Sequence, residues 1–453
     1  MVPRETHLPD VVMLAIDTLR PDHLGCYGYT KPTSPGIDAL AGESILFDQA
    51  IAAGIPTMPS FTTICTGLHP YRHGIVSHNS KRRLADHILL LPQLMKQRGY
   101  VTAACDNLVV QGDGSGSWFS RGYDYYSGFL YKPFGNQSQQ LTNRALSLLE
   151  EYENRPLFLF MHYWDPHTPY GPLPPYDTLH YTPGSGPVDM AAVRRIHPEY
   201  YDAFVGDMKL RHPDDYAYIV AQYDGEISQA DAEVGRLVAA LKAHGSWDNT
   251  IFILLSDHGE CFGEGNFYFD HHGLYDAVTH ITCMMHIPGE AGRRIGALVS
   301  TEDVVPTLQE LAHLPQTPYP LSGTSLLPLL HGEAHEVRPY VVSSEATRQA
   351  SLALRTPEWK VIVPIVEDAR GQPLPDFYGR ARHPDPLLFN LHNDLAEQHN
   401  VSQEEPVQLT TMLRELERWR TEMGALTGEP DPIREQGLTL EYENFMRRMF
   451  GRR

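Results

Sequence analysis

The sequence predicts an α/β fold, a large and mostly parallel sheet sandwiched by helices, followed by a small C-terminal α+β subdomain with an antiparallel sheet. Three observations lead there. Short apolar runs of strand length alternate with amphipathic helical stretches through most of the chain, the pattern of parallel strands with helices on both faces. The runs at 11–16 and 251–255 are apolar at every position, as strands covered on both faces are. Beyond residue 330, consecutive short strands separated by tight turns mark an antiparallel sheet.

In chain order, strands are expected at 11–16, 101–105, 156–161, 251–255 and 282–287. Helices are expected at 139–152 and 227–243, where Leu, Val and Ile recur at helical spacing. The stretch 112–135, rich in Gly, Ser and aromatic residues, reads as a surface excursion near the site. Its part 118–131 suits either an apolar leaving-group pocket or a satellite core. The stretch 172–213, crowded with Tyr, Pro, His and Asp, reads as an insertion or lid. A polar linker at 331–338 divides an expected catalytic α/β domain, 1–335, from a C-terminal subdomain, 336–453. In the latter, strands are expected at 340–344, 352–355, 359–363 and 387–391, with a helix at 406–423. The charged last ~25 residues read as helical and suit wrapping the core or a partner subunit of a homo-oligomer.

A chain of 453 residues can bury a large core. Its formal net charge of −20 argues against nucleic acid or an anionic membrane as partner. No apolar run approaches the length of a bilayer span, and the first residues lack the apolar segment of a secretory signal, so a cytoplasmic enzyme is expected. Cysteines at 26, 65, 105, 261 and 283 show neither a disulfide framework nor CxxC spacing. Cys105 and Cys283 read as buried, inert thiols, and a reducing compartment follows.

Candidate chemistry sits at the ends of two apolar runs. The first ends in Asp17 and the second leads into Asp257 and His258, at the carboxyl ends of strands where open α/β sheets place ligands. With Thr57 they make a hard, mostly oxygen set for one divalent cation, with a hydroxyl among the ligands. Ca²⁺, Mn²⁺ or Mg²⁺ suits that set, and Zn²⁺ is compatible. A hydroxyl on a metal loses its proton readily and becomes a nucleophile. The metal would also offset the negative charge of the chain for a small anionic ester substrate. The plainer reading of Thr57 is a cap on a helix beginning near Pro59, of His162 a structural histidine at a strand end, and of Tyr223 and Asp224 a helix start. His23 and His73 read as positioning residues.

Several motifs in order carry a family resemblance. The stretch 17–28, Thr57-Met58-Pro59-Ser60 with Thr66-Gly67, and Leu68 to Gly74 are followed by Ser256-Asp257-His258-Gly259-Glu260. Then come Leu274-Tyr275-Asp276, Ile287-Pro288-Gly289, and the tail stretches 353–360 and 388–394. This set resembles the sulfatases of the alkaline phosphatase superfamily across nearly the whole chain. The resemblance implies an alkaline-phosphatase-like core, metal ligation by Asp17, Asp257 and His258, and Thr57 at the nucleophile position. It also matches His167 to a histidine contacting the transferred group or leaving oxygen, and Asn79 to an active-site asparagine of related phosphonate and phosphodiester hydrolases. Thr18 stands where the family often has a second acidic or amide ligand.

The chain also departs from that family. Sulfatases carry a Cys or Ser, oxidised to formylglycine, where this chain has Thr57, and an Arg where it has Phe61. The family's lysines fall at Asn107 and at His271-His272, and an expected Arg is His280. Threonine carries a β-methyl and cannot give the formylglycine aldehyde. A threonine ester must therefore be cleared by water attacking phosphorus or sulfur. With fewer cations, a singly charged group is favoured. The expectation is a metal-dependent hydrolase of phosphodiesters or phosphonate monoesters acting through a phosphothreonine at Thr57. His167, with His271 or His272, would stabilise the equatorial oxygens or protonate the leaving group. The alternatives are a sulfuric ester hydrolase without formylglycine and a phosphoryl-group transferase. A second metal of the Asp-x-x-x-His type is not expected, because Ser228 stands four residues after Asp224.

Overall fold

The computed structural model describes residues 8–78, 80–106, 108, 117–128, 137–184, 188–196, 208, 210–377 and 379–439. In chain order the strands are β1 (Asp10–Ile16), β2 (Ile45–Ile51), β3 (Gly54–Ile55), β4 (Val101–Cys105), β5 (Tyr125–Ser127), β6 (Leu157–Tyr163), β7 (Thr250–Leu255) and β8 (Cys261–Phe262). They continue with β9 (Tyr268–Asp270), β10 (His280–Ile281), β11 (Cys283–His286), β12 (Arg293–Ser300), β13 (Val341–Glu345), β14 (Ser351–Arg355), β15 (Trp359–Pro364) and β16 (Leu387–Asn390).

The large sheet runs β10-β2-β11-β7-β1-β6-β4-β5, with β12 on β2. Its centre is parallel: β1 lies between β6 and β7, with Ala15 opposite His162 on one side and Leu255 on the other. The run 11–16 is apolar throughout because its two faces feed two cores. Val11, Met13 and Ala15 pack with Met58, Phe61 and Ile64 of the helix Thr57–Thr66. Val12, Leu14 and Ile16 pack with Leu141, Ala145 and Leu148 of the helix Gln137–Glu151, and with Ile219, Ile227 and Val234 of the long helix Tyr216–His244. That period-2 division is what a pleated strand imposes.

The second sheet runs β16-β15-β14-β13-β3. Val342, Leu352, Leu354 and Val361 meet Met412, Leu416 and Trp419 of the helix Pro406–Thr427, while Ala353, Ile362 and Phe389 face the main core. The expected strands and helix of the tail are present within a few residues at each end. The sheet also recruits β3 from far upstream, pairing Ser344 with Gly54 and Glu345 with Ile55 in parallel. That pairing places the end of β13 beside the segment leading into Thr57.

Several expectations are corrected. β6 extends past Met161 and carries His162 and Tyr163 within the strand. β2 and β12 were not expected; they pair with each other over 45–51 and 293–300, and their interrupted apolar patterns reflect a position at the sheet margin. The long helix begins at Tyr216, where the Asp215 carboxylate accepts from the Ala217 and Tyr218 N–H groups. Tyr223 and Asp224 therefore lie inside that helix, not at its start. Thr57 is the first residue of its own helix and makes no side-chain cap; Pro56 holds the N-cap place. Pro59 fits in that first turn because its missing N–H is one that no intrahelical carbonyl would have met. Trp118 and Phe119 are buried in the main core, and the described part of 172–213 includes the helices Tyr176–Leu179 and Met190–Ile196. Among the described residues no helix is long and apolar enough to cross a membrane. Asn79, Asn107, the parts 112–116 and 129–135 of the excursion, and the stretch 440–453 lie outside the described residues.

Candidate active site

Parallel register brings the site together. Because β1 and β7 are neighbours ending at the same level, Asp17 just past β1 meets Asp257 just past β7. The Asp17 N–H donates to the Tyr163 carbonyl at 2.9 Å, tying its backbone to β6 as well. Asp17, Asp257 and His258 offer ligand atoms all within 4.8 Å of one another, and all three are buried. His258 Nδ1 donates to the Gly259 carbonyl at 3.0 Å, which turns Nε2 inward. That atom lies 3.2 Å from Asp257 Oδ2, 3.8 Å from Asp17 Oδ1 and 3.2 Å from Thr57 Oγ1. The sequence-predicted ligand set and nucleophile thus converge.

The backbone beside Asp17 is held under strain. Thr18 has φ 55°, a left-handed conformation that a β-branched residue rarely adopts. Its N–H donates to Asp257 Oδ1 at 3.3 Å, and its carbonyl accepts from the Tyr223 hydroxyl at 2.7 Å. Ser60 Oγ donates to the Asp257 carbonyl at 2.7 Å, locking the Thr57–Thr66 helix onto the same loop. The helix presents its N-terminus to the site, where its dipole favours an anion.

A cation fits this donor set. Both Asp17 carboxylate oxygens and Asp257 Oδ2 are buried without an aligned hydrogen-bond donor, a costly arrangement for two carboxylates unless a cation joins them. Burial, then the nearby Asp17 charge, pushes the Asp257 carboxyl well above its usual range. Burial pushes His258 down to about 4, so its imidazole is neutral and free to ligate at neutral pH.

His162 joins the cluster from β6. Its Nδ1 donates to Asp106 Oδ1 at 2.8 Å, and its Nε2 stands 3.3 Å from Asp17 Oδ2. Burial opposes its charge, yet the two carboxylates outweigh burial and raise it to about 10. Burial likewise opposes the charge of Asp17, but contact with His162 and the fields of His167 and His258 hold that carboxyl at about 2. Phe61, one helical turn from Thr57, packs edge-on to His162 with ring centroids 4.5 Å apart. The place of the family's arginine is therefore an apolar wall here.

Opposite stands a wall of histidines. His271 stacks on His258 with centroids 5.0 Å apart and lies 4.7 Å from His167 and 6.4 Å from His78. His167 Nδ1 donates to the Thr168 carbonyl, leaving Nε2 as its working atom. His272 is anchored instead: its Nδ1 donates to Glu345 Oε1 at 2.9 Å. Of the two adjacent histidines, His271 is the one against His258 and His167. His280 lies on β10 and donates to the Asp48 carbonyl at 2.9 Å, apart from this cluster. Asp224 is engaged by His23, Tyr29 and Lys31 at 2.7, 2.9 and 2.8 Å.

Sequence reading missed Asp106, Glu260 as a site residue, Asp270, Glu345 and His78. Glu260 stood in a quoted motif and Asp270 directly precedes His271, so both carried a local signal. Asp106 stands at the carboxyl end of the expected strand 101–105 and carried the same kind of signal as Asp17, whereas Glu345 reaches the site through the pairing of β13 with β3 and carried none.

A model of the sulfatase family matches residues 9–314. The chain is similar to iduronate 2-sulfatase of Mus musculus, 25% identical over 389 residues covering 68% of this chain and 69% of the relative. It is similar to human N-sulphoglucosamine sulphohydrolase, 27% identical over 448 residues covering 88% and 87%. Its fold resembles the crystal structure of the phosphonate monoester hydrolase of Agrobacterium radiobacter, with a TM-score of 0.74, 21% identity and coverage of 92% of this chain and 96% of that one.

Proposed function

The chain belongs to the sulfatase family, as an ester hydrolase of the sulfatase/alkaline phosphatase superfamily, and on that premise we propose that it hydrolyses phosphodiesters or phosphonate monoesters through a covalent phosphothreonine at Thr57. The observation that carries this reading is the buried Thr57 hydroxyl at a helix N-terminus, 3.2 Å from His258 Nε2 and beside two carboxylates with oxygens that lack an aligned hydrogen bond.

Asp17, Asp257 and His258 would hold one divalent cation, which when bound supplies Lewis acidity to the Thr57 hydroxyl and to a phosphoryl oxygen. Thr57 Oγ, its proton lost to solvent, attacks phosphorus in line. The P–O bond to the leaving alcohol breaks as the threonine ester forms. His167 Nε2 gives a proton to the departing oxygen and regains one from solvent. Water then attacks phosphorus, the threonine ester bond breaks, and the Thr57 hydroxyl is restored. His162 and Asp106 hold Asp17 in place, and the helix N-terminus orients the anion.

Two features support phosphorus over sulfur. Thr57 cannot form the aldehyde with which formylglycine expels sulfate. Phe61, and His271 and His272, whose charged forms burial disfavours, supply less positive charge than the arginine and lysines that the resemblance places there. The rival reading, a sulfate ester hydrolase, draws on the sulfatase names of the relatives. The five cysteines are free thiols, which supports a reducing, cytoplasmic setting.

The test is turnover of matched nitrophenyl phosphodiester, phenylphosphonate, phosphate monoester and sulfate substrates, with and without chelator, by wild type and Thr57→Ala. Chelator-sensitive hydrolysis of the diester and phosphonate, lost in Thr57→Ala with metal content retained, is expected. Turnover of sulfate alone, or full activity in Thr57→Ala, overturns the proposal.

A further inference from the structure

We propose that Asp270, His271 and His272, with Glu260 beside them, form a second divalent-cation site adjoining the one at Asp17, Asp257 and His258. Its purpose, though not its geometry, rests on the ester-hydrolase reading above.

The three residues are consecutive, Asp270 ending β9 and the two histidines following it, and they offer ligand atoms all within 4.8 Å of one another in a buried setting. The spacings suit a shared ion better than hydrogen bonds. His272 Nε2 stands 3.7 Å from Asp270 Oδ1, and His271 Nδ1 stands 3.7 Å from Glu260 Oε1. Both are too long for a hydrogen bond. Two ligands about 2.1 Å from one ion at a tetrahedral angle lie about 3.4 Å apart, close to both values. The first site shows the same kind of spacing, 3.2 Å between His258 Nε2 and Asp257 Oδ2.

A second, independent observation points to a ligand. Glu260 is fully buried; the Tyr170 hydroxyl and the Thr168 N–H approach its carboxylate, but neither oxygen has an aligned hydrogen bond. His271 Nδ1, facing it, is unpartnered. A buried imidazole nitrogen without a partner, facing a buried carboxylate at 3.7 Å, is costly alone and is satisfied by a cation between them.

The outer contacts are those of metal ligands. A ligating histidine commonly gives its other ring N–H to a carboxylate, which fixes the tautomer and the ring. His272 Nδ1 does so to Glu345 at 2.9 Å. The other Glu345 oxygen accepts from the Gly273 N–H at 2.9 Å, so the carboxylate is itself held. Arg348 pairs with Asp270 Oδ2, while Oδ1 accepts from the His271 N–H at 2.9 Å and also faces His272. Both Glu345 and Arg348 come from the end of β13 and the turn after it, so the second sheet builds this side of the site.

Position gives the ion a role. His271 stacks directly on His258, so the two sites share a wall. Where the family resemblance places a lysine, this chain has His271-His272. In a chain of net charge −20, a cation there returns the positive charge that an anionic ester needs beside Thr57.

The full-length protein, stripped with chelator and reloaded with Mn²⁺ or with Zn²⁺, is desalted and its metal counted by mass spectrometry. Wild type is expected to keep two ions per chain with at least one of the two metals, and His272→Ala to keep one, its second equivalent binding at least about ten-fold more weakly. Anomalous scattering from wild-type crystals grown with each metal gives a readout free of any folding defect in the variant. It should show two peaks, the second within coordination distance of His272 Nε2. A single ion with both metals, no peak at Asp270–His272, or two ions retained by His272→Ala overturns the proposal. One ion with full diesterase activity removes the second site alone; two ions without ester hydrolysis removes the Thr57 reading alone.

Discussion

Replacing Asp106 by Asn tests how the site is held together. The Asp106 carboxylate faces three donors: His162 Nδ1 at 2.8 Å on Oδ1, and the Leu108 N–H at 3.0 Å with the Tyr126 hydroxyl on Oδ2. An asparagine can keep its oxygen toward His162 only by turning its NH₂ toward the Leu108 N–H, where donor faces donor. Flipped, it turns NH₂ toward His162 instead. Either way one buried donor loses its acceptor, and His162 loses one of the two anions that keep it protonated between Asp106 and Asp17. A hydrogen bond to a charged group contributes about 1.5–3 kcal/mol, and a factor of ten corresponds to about 1.4 kcal/mol. With Asp17 no longer steadied by an imidazolium, metal affinity and kcat/KM should each fall by roughly 10- to 100-fold, the range seen when outer partners of metal ligands are altered. The assay is steady-state turnover of a nitrophenyl phosphodiester across a metal titration, with the melting temperature as control. Wild-type kcat/KM and metal affinity, within about two-fold, in a folded Asp106→Asn protein would refute the reasoning.

Other perturbations follow from the same contacts. Chelation should abolish ester hydrolysis and re-addition of divalent metal should restore it; activity that survives exhaustive chelation counts against the metal at Asp17, Asp257 and His258. Phe61 is fully buried, and Phe61→Ala should cost about 3–5 kcal/mol in urea unfolding, with a shift below about 1 kcal/mol contradicting its packing role. Asp276 is buried beside Arg355 and Lys360, at 3.1 and 2.8 Å. Burial opposes its charge, yet those two cations hold its carboxyl far below the usual range. A depressed folded pKa gives stability that is present above the unfolded value, about 3.9, and is lost as pH falls below it. Asp276→Asn should therefore be destabilised by about 3–5 kcal/mol near pH 7, with the gap to wild type narrowing as pH drops below about 4. A gap that stays constant from pH 7 to pH 3 would contradict this.

What the sequence showed and what it hid divide along a physical line. Asp17, Asp257 and His258 are legible because each follows a fully apolar run, and a parallel sheet gathers the ends of its strands. Thr57 is legible from its place in an ordered motif. The second-sheet strands are legible from their spacing, but β3 is only two residues long, and its pairing with β13 spans most of the chain. Glu345 and Arg348 therefore gave no local sign of reaching the site, whereas Asp106 follows directly on the expected strand at 101–105 and its strand-end place was passed over. His162 looked like an ordinary histidine at a strand end, since only the β1–β6 register sets it beside Asp17. Tyr223 was placed at a helix start because the apolar periodicity is clearest beyond Ile227, whereas Asp215 caps the helix earlier.

The central claim is that the Thr57 oxygen forms the covalent bond to the transferred group. Acid quenching during turnover of a slow phosphodiester, followed by peptide mass spectrometry, reads that bond directly. The peptide spanning Thr57 should carry the phosphoryl adduct at that residue in wild type, more of it when water attack is slowed, and none in Thr57→Ala. Steady turnover with an unmodified Thr57 peptide at every quench time, or an adduct on another side chain, would contradict the account.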